Sequence, residues 1–593
     1  MARIDVAFVA QVRAALAEQV SSIVDEAAGD TWQHLQHRQL AERIKALAAA
    51  WLNTTTPIEP PSTPDLPGAA DLLGCTERLA VRLRELQGSS GLFTGGDNVD
   101  SPPDSAFSIN DLADALLLLR RAGRAQRLTG LLEQLLTAAM PALTSGGVHT
   151  PNHRWEISAA LARLHLLWPQ PALAERVDQW LAEGVDIDDD GLYSERSANY
   201  AAYVSNPSLL TIAEVFGRPE LVDAVERNLD ATLDLLLPDG SVETVLSRRQ
   251  DQHRSMPLGA YLLPLRQVAR LRGRGDLSWA ADLALAHGIA APAAAATGIA
   301  LDPANALALP DPVRPPHTRQ RVFGTAGLLV DHRPATTTVV FGGSDYARHR
   351  RIRSGLANSP TFLRLFAGAA VLDSVRLSRT FFGLGPFRSD RLVVQRGDGE
   401  TSVALAEAVS AAYFQPLAPA DRDARGRYRV DDEGRFSAAM DFDRRGRDEV
   451  TLTTTIRVEL TPAGVALTVD VYGADVPWAL ELAFRPGGTM TGAREISGRR
   501  WQLDAIPAGP DGAYYQVGDD ALSVTVVEAT DGRGGPLTAS GAEPAYHPGE
   551  EYEFLGGTDA AAGERLYVAA QAPARLRIEV GRYRPLATSA PVI

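Results

Sequence analysis

The spacing of apolar residues changes once along this chain, and this change limits the fold more than any other feature. Up to about residue 310, apolar residues recur every three or four positions, which is the repeat of an amphipathic helix. In residues 219–237 this spacing places one apolar stripe on a helix face, and Pro238-Asp239-Gly240 then ends the helix. The stripe consists of Val222, Val225, Leu229, Leu233 and Leu236.

The same spacing recurs before and after that stripe, so about eleven helices joined by short loops are predicted. Helical hairpins in this number form a bundle, a solenoid or a toroid, and the lack of a fixed repeat disfavours a regular solenoid. The other predicted helical stretches are 4–28, 30–53, 69–88, 110–122, 125–141, 156–168, 171–183, 207–217, 258–272 and 276–287.

Beyond residue 320 the apolar repeat is two residues, which is typical of strands with one buried face. Residues 465–472 alternate between apolar and more polar side chains, and residues 450–460 are rich in Thr, Val and Ile. The turn at residues 461–464 joins them into a hairpin, and residues 576–580 repeat the alternation. We therefore expect an antiparallel sandwich of about 270 residues.

The stretch between these two parts is rich in Ala and Pro, as a connector would be. The predicted domains are a helical domain over 1–290, a linker over 291–320 and a β-sandwich domain over 321–593. The fold class is thus α+β and multidomain, with helices and strands segregated along the chain rather than alternating.

Composition excludes several function classes. With 73 acidic and 58 basic residues in a chain of 593, the net charge is −15, which lacks the electrostatic footprint of a nucleic-acid binder. Cys75 is the single cysteine, so intramolecular disulfides and multi-cysteine metal sites cannot form. Lys45 is the single lysine, and no Gly-Lys-Ser/Thr phosphate-binding loop is present.

The amino-terminal residues carry an apolar run that is too short for a signal peptide and that leads into an amphipathic helix. No apolar stretch in the sequence reaches the length of about 18 residues that a membrane span needs. We expect a cytoplasmic protein with no membrane or nucleic-acid partner, and a homodimer is left open.

Two polar loops of the helical part are candidates for a site. Residues 91–104, which include Asn98 and precede a cap-like Ser108, are either a long connector or the lining of a cleft. Asn152 and His153 open an apolar helix, whose dipole stabilises negative charge while the two side chains offer donors and a titratable nitrogen. The alternative is that Asn152 is only a cap and His153 an exposed side chain.

A third loop, residues 190–203, brings Tyr193, Tyr200 and Tyr203 close to a carboxylate and an arginine. If a helix begins near Ser197, Tyr200 and Tyr203 share one of its faces. A tyrosine beside an arginine is a usable proton donor or acceptor, whereas the plainer interpretation is aromatic packing at a helix start.

Two arginine clusters complete the set of candidates. Residues 247–254 carry three arginines that can clamp a carboxylate, unless they form only a solvated turn. Residues 344–355 are strongly basic within an acidic protein. Because a protein of net charge −15 repels an acidic ligand at long range, a local positive surface is required. We therefore expect residues 348–353 to border a cleft between the two domains, facing Asn152 and Tyr200.

Taken together, these segments resemble the heparinase II/III-like polysaccharide lyases and the related alginate oligo-lyases. The resemblance rests on Asn152-His153, on the pattern Asp190-Gly191-x-Tyr193-x-Glu195-x-Ser197-x-x-Tyr200-x-x-Tyr203, and on His349 followed by residues 359–368. The family joins an incomplete (α/α) toroid to antiparallel β-sheet layers, so the resemblance implies an N-terminal toroid followed by a C-terminal β-sandwich.

The resemblance also implies β-elimination beside a uronic acid, with removal of the C5 proton and expulsion of the C4 oxygen. Such a site must neutralise the carboxylate and supply a base and an acid. Asn152 is then the neutraliser, helped by Arg248 or Arg249, and Tyr200 is the acid and, in the syn geometry, also the base. The implied catalytic set is Asn152, His153, Tyr200, Tyr203 and His349.

The remaining candidates are expected to bind the acidic oligosaccharide. Because a cytoplasmic protein is expected, this oligosaccharide is expected to be imported. They are Asn98, Glu195, Asn199, Arg248, Arg249, Gln250, Asp251, Arg348 and Arg353. Family members that bind structural zinc carry a His-x-His-x-Asp arrangement, whereas residues 350–355 read Arg-Arg-Ile-Arg-Ser-Gly. We therefore expect no metal and no other cofactor.

Two other functions are compatible with the same residues. One is a glycoside hydrolase on a helical toroid, in which Glu195 works with Asp251 or Glu243 as a carboxylate pair. The other is a protein that binds acidic glycans without chemistry.

Overall fold

A computed structural model describes residues 3–55, 66–95, 98–252, 254–346, 355–397, 400–507, 512–537 and 562–583. Helices occupy the amino-terminal half of this structure and strands the carboxy-terminal half, as the change in apolar period predicts.

Thirteen α-helices lie in the described part of the helical half. Six of them have a proline at the first or second helical position, and three end at a glycine in the left-handed conformation. They are α1 Val6–Ala27, α2 His37–Thr55, α3 Ala69–Glu85, α4 Pro102–Ala122, α5 Gln126–Ser145, α6 Pro151–Leu167, α7 Pro171–Leu181, α8 Ala198–Tyr200, α9 Asn206–Phe216, α10 Pro219–Asp234, α11 Leu262–Arg272, α12 Gly275–Ala286 and α13 Pro292–Leu301.

Alternate helices form the inner layer of an incomplete (α/α) toroid. Helix α4 packs on α2 and on α6, and α6 packs on α9, so that these helices stand side by side. Both α4 and α6 are buried along almost their whole length, whereas the outer helix α7 buries only Leu173 and Val177. Helices surrounded on all sides carry small and apolar residues around their whole circumference, as α6 does with Ser158, Ala159 and Ala160.

The largest differences from the sequence-based expectation concern helices α4 and α13. Helix α4 begins at Pro102 rather than at residue 110, because Ser101 caps it by accepting a hydrogen bond from the Asp104 N–H at 3.2 Å. The Ala/Pro-rich stretch predicted as a linker contains helix α13, which packs on α1, α2 and α4. Proline at the first helical position and the alanines that follow suit a helix as well as a connector.

The carboxy-terminal half is a β-sandwich of two large sheets. One sheet has nine strands in the order β16-β17-β20-β14-β7-β6-β5-β4-β3. The other has eight strands in the order β15-β18-β19-β21-β13-β12-β9-β8. Among the described strand pairs of these two sheets, β17–β20 is the only parallel one. The nine-stranded sheet comprises β3 Arg319–Phe323, β4 Leu328–His332, β5 Thr337–Phe341, β6 Leu363–Ala367, β7 Ala370–Arg379, β14 Pro477–Phe484, β16 Arg494–Ser497, β17 Arg500–Gln502 and β20 Arg565–Gln571. The eight-stranded sheet comprises β8 Leu392–Gly397, β9 Glu400–Phe414, β12 Arg447–Leu460, β13 Gly464–Tyr472, β15 Thr489–Thr491, β18 Ala513–Val517, β19 Asp520–Asp531 and β21 Ala574–Tyr583.

Two further strand pairs are short. They are β1 Ser241–Val242 with β2 Met256–Pro257 in the helical half, and β10 Val430–Asp432 with β11 Ser437–Ala439 in the sandwich. The first pair brackets the loop that carries the predicted arginine cluster.

The central strands of the nine-stranded sheet are buried on both faces. In β4, Leu328 and Val330 pack into the core of the helical domain, while Leu329 between them packs into the core shared with the eight-stranded sheet. Strand β5 divides its side chains in the same way, and all five of its residues are buried. The sheet is therefore the middle layer of the molecule, which fixes the two domains against each other.

Within the described ranges, none of the helices combines the length and the apolar character that crossing a lipid bilayer requires.

Candidate active site

The start of helix α6 presents Asn152 and His153 at the end of the toroid that faces the β domain. Thr150 is the extended residue before the helix and Pro151 its first residue, so the two side chains fall in the first turn. Asn152 is 2% exposed, and its amide nitrogen donates a hydrogen bond to the Glu195 carboxylate. Asn152 is therefore a buried donor rather than an exposed cap.

His153 is buried between aromatic neighbours. Its ring centroid lies 4.7 Å from that of His149 and 6.3 Å from that of Phe107, edge-on in both cases. Burial above all, and then the nearby charges of His149, Arg38 and Arg249, lower the pKa of His153 to about 3. The imidazole is thus neutral at physiological pH, and its Nδ1 meets no hydrogen-bond partner among the described residues.

In the tyrosine segment a helix begins after Ser197, which is the condition considered for Tyr200 and Tyr203. The Ser197 hydroxyl accepts a hydrogen bond from the Tyr200 N–H at 3.1 Å, and α8 then continues as a π-helical turn over residues 201–205. Tyr200 is half-buried, whereas Tyr203 is 46% exposed. Tyr193 lies in the core, where its hydroxyl donates to Asn206 at 2.8 Å.

Arg249 contacts both Tyr200 and Glu195. Its Nη2 donates to the Tyr200 hydroxyl oxygen at 3.3 Å, and its guanidinium lies 4.9 Å from the centre of the tyrosine ring. Its Nη1 is 3.5 Å from Glu195 Oε1. Glu195 therefore contacts both Arg249 and Asn152, and burial raises the pKa of its carboxyl against the opposing effects of those two neighbours.

The other members of the arginine cluster have different surroundings. Both nitrogens of the Arg248 fork bind the Asp345 carboxylate of the β domain, at 2.9 and 3.1 Å. Gln250 lies exposed in a turn. Asp251 accepts hydrogen bonds from the Ser197 hydroxyl at 3.0 Å, from the half-buried Asn199 through its backbone N–H at 3.1 Å, and from Ser247.

One part of the site was not singled out from the sequence. Arg38, at the start of α2, forms an ion pair with Asp104, and its guanidinium lies 4.1 Å from the ring centre of Phe107. Asn98 joins this group by donating to Asp104 at 2.7 Å, which places it beside the site. The signal that could have found Arg38 is its position in the first turn of an inner helix, like that of Asn152 in α6.

Three of the predicted residues, Arg348, His349 and Arg353, lie outside the described residues, so their roles stay predictions. Of the residues on either side, Asp345 binds Arg248, and the Leu356 carbonyl accepts a hydrogen bond from Gln252 at 2.8 Å. In the part of the chain that the structure describes, no group of three or more His, Cys, Asp or Glu side chains is placed to hold a metal ion.

The carboxylate pairs considered for a hydrolase are occupied by protein contacts. Glu243 is buried, and its two oxygens lie 2.9 and 2.8 Å from Nη1 of Arg364 in the β domain. Its Oε1 also accepts hydrogen bonds from the Thr244 and Val245 N–H groups. With Asp251 held by Ser197 and Ser247, Glu195 is the one of the three carboxylates that adjoins the candidate catalytic side chains.

Comparison with known proteins supports the fold. No family model matches the sequence, and no curated protein is detectably similar to it. Heparinase III has 13% sequence identity and a TM-score of 0.50, over 92% of this chain and 75% of its own. The chondroitin AC lyase of Streptomyces coelicolor A3, in complex with chondroitin sulphate, has 14% identity and a TM-score of 0.50, over 97% of this chain and 78% of its own. The chain therefore has a heparinase-like polysaccharide lyase fold, in which a helical toroid precedes antiparallel sheets.

Proposed function

We propose that this protein cleaves a uronic-acid-containing glycan by β-elimination. The observation that supports the proposal most is the chain of contacts from Asn152 through Glu195 and Arg249 to Tyr200, with the neutral His153 beside Asn152. These side chains supply the donors and the proton carriers that an elimination needs, in a fold shared with polysaccharide lyases.

Charge neutralisation falls to Asn152 and Arg249. The C5 proton of a uronate is a weak acid because its removal places a second negative charge on the carboxylate group. An amide nitrogen has two N–H donors, and Asn152 uses one of them for Glu195, which leaves the other for the substrate. Arg249 adds a fixed positive charge close to the same point, in a partly buried place where electrostatic effects are strong.

Proton transfer falls to Tyr200. The Tyr200 hydroxyl oxygen accepts a hydrogen bond from Arg249, and in its phenolate form Tyr200 takes the C5 proton. The electron pair then forms the C4–C5 double bond, the C4–O bond breaks, and the leaving oxygen receives a proton from the same phenol in a syn elimination. His153, which is neutral, can donate an N–H to the substrate without bringing a further charge into the site.

A screen of uronate-containing oligosaccharides tests this proposal. Elimination creates an unsaturated uronate that absorbs in the ultraviolet, so the expected result is new absorbance with acidic oligosaccharides and none with neutral ones. The proposed chemistry uses protein donors, and we therefore expect the same rate after treatment with a metal chelator. New reducing ends without absorbance would indicate a hydrolase, and binding without turnover would indicate a glycan-binding protein.

The proposal extends to the size of the substrate. We propose that the protein acts in the cytoplasm, where oligosaccharides can be imported and a polymer cannot, so imported oligosaccharides are the proposed substrates. Rates measured over a series of chain lengths test this point, since a preference for long polymers would contradict it.

A further inference from the structure

The loop between β1 and β2 carries Arg249, and we call residues 243–252 the arginine loop. It has no regular secondary structure, yet most of it is buried, with Ser247 at 0% and Gln252 at 1% exposure. A buried loop needs partners for its polar groups, because unpaired ones cost free energy. The arginine loop finds these partners on two sides, in the candidate active site and in the β domain.

On one side, the arginine loop holds the candidate catalytic groups. Arg249 donates to the Tyr200 hydroxyl, and Asp251 accepts from Ser197, the residue that caps the helix of Tyr200. The Arg248 N–H also donates to the Glu195 carbonyl oxygen at 2.9 Å. Any displacement of the arginine loop would therefore move Arg249 relative to Tyr200 and Glu195.

On the other side, the β domain holds the arginine loop at three points. Arg364 on β6 pairs with the fully buried Glu243 side chain, and Asp345 binds Arg248 through two nitrogens. At the far end of the loop, Gln252 donates to the Leu356 carbonyl and accepts a hydrogen bond from the backbone of the β domain. These three contacts come from the β domain, so the helical domain by itself does not hold the arginine loop on this side.

We propose that Asp345 and Arg364 are positioning residues, through which the β domain sets the place of Arg249 against Tyr200. This inference rests on the proposed function, because it assigns their effect to the same elimination. Bidentate and buried ion pairs have fixed geometry, so they hold a loop more firmly than single exposed contacts do. A displacement of about 1 Å in a catalytic group can lower a rate by about 10²-fold, which makes such holding matter for turnover.

The variant Asp345→Asn tests the inference, with Arg321→Gln as its matched control. Asn keeps the shape of Asp345 but removes the charge that binds Arg248. Arg321 pairs with Asp190 at 3.2 Å across the same domain interface, and its contacts with Asp190, Asp234 and Phe323 do not include the arginine loop. We expect Asp345→Asn to lower kcat by about tenfold or more with KM within about threefold, Asp345→Glu to restore part of kcat, and Arg321→Gln to stay within about twofold of wild type.

A second readout does not depend on activity. Hydrogen exchange followed by mass spectrometry should show faster exchange in residues 243–252 of Asp345→Asn and wild-type exchange there in Arg321→Gln. Where Asp345→Asn does not fold, Arg364→Lys takes its place, since it keeps the charge opposite Glu243 but loses the guanidinium fork.

The outcomes separate this inference from the proposed function. Wild-type hydrogen exchange in the arginine loop of Asp345→Asn would overturn the inference. Equal losses of kcat in Asp345→Asn and Arg321→Gln would also overturn it. A rise in KM alone would also overturn it, because Arg248 would then act in substrate binding. A wild-type protein that turns over no uronate glycan would contradict the proposed function, and the exchange comparison would still decide whether the β domain holds the loop.

Discussion

At the residue scale, Tyr200 carries the chemistry of the proposal, and Tyr200→Phe removes only its hydroxyl oxygen. We expect kcat to fall by about 10²–10⁴-fold, the usual effect of losing a general acid–base group, with thermal unfolding close to wild type because the ring under Arg249 remains. Tyr203→Phe is the comparison, because Tyr203 is the other tyrosine of the implied catalytic set, and its 46% exposure leads us to expect that kcat is kept. Wild-type kcat in Tyr200→Phe would remove this residue from the mechanism.

Asn152 is expected to act mainly in the transition state, where the carboxylate group gains its extra charge. Asn152→Ala should therefore lower kcat by about 10²-fold while KM changes little, as when a donor to a developing oxyanion is removed. Steady-state kinetics on the oligosaccharide that the screen identifies provide the measurement. An increase in KM with unchanged kcat would assign Asn152 to binding alone.

His153 gives a prediction for pH. Its pKa is lowered to about 3 in the folded protein, below the usual value of 6.5, so the unfolded state binds its proton first as the pH falls. Stability attributable to His153 is therefore fully present above about pH 6.5 and decreases toward pH 3.

The measurement is chemical denaturation of the wild type and of His153→Gln at pH 7 and at pH 5. The wild type should lose up to about 2 kcal/mol more between these two values than the variant does. Comparing the two proteins removes the contribution of His332, a second buried histidine whose pKa is lowered, to about 4. Equal losses would show that His153 is not held neutral by its surroundings.

At the scale of the elements, local signals predicted the starts of some helices and missed others. The helix start at Ser197, which the sequence leaves as a condition, is present, because a serine cap acts through its nearest neighbours in the chain. The start of α4 was placed at residue 110, since Ser108 and Asn110 resemble caps. Both are buried inside an inner helix, where His37 and Glu156 from distant parts of the chain bind them.

The cap at Ser197 gives a prediction for its element. Ser197→Ala removes the acceptor for the Tyr200 N–H and one of the donors to Asp251. Loss of such a cap costs about 0.5–2 kcal/mol, so the midpoint of thermal unfolding should fall, and kcat should fall with it because the helix of Tyr200 is loosened. A stability loss with unchanged kcat would show that the cap does not help to place Tyr200.

At the scale of the whole molecule, the spacing of apolar residues predicted the helical half and the β-sheet half of the fold, but not how the two halves pack together. Strands β4 and β5 read as short apolar runs, because their two faces pack into different cores. The ion pair between Glu243 and Arg364 spans 121 residues of sequence, and no local pattern connects them. For the same reason, the sequence predicts substrate binding for Arg248, whereas in the structure its guanidinium binds Asp345.

The nature of the cleavage is the central claim, and the product formed in water enriched in ¹⁸O tests it most directly. The protein is incubated with a uronate-containing oligosaccharide, and both fragments are weighed by mass spectrometry. At early reaction times, elimination predicts one fragment with a C4–C5 double bond, and no ¹⁸O at the cleaved linkage beyond the slow exchange that any free reducing end undergoes. It predicts no such product with Tyr200→Phe. Fragments heavier by one water, with ¹⁸O at the new end, would contradict the proposal and show that the protein hydrolyses its substrate.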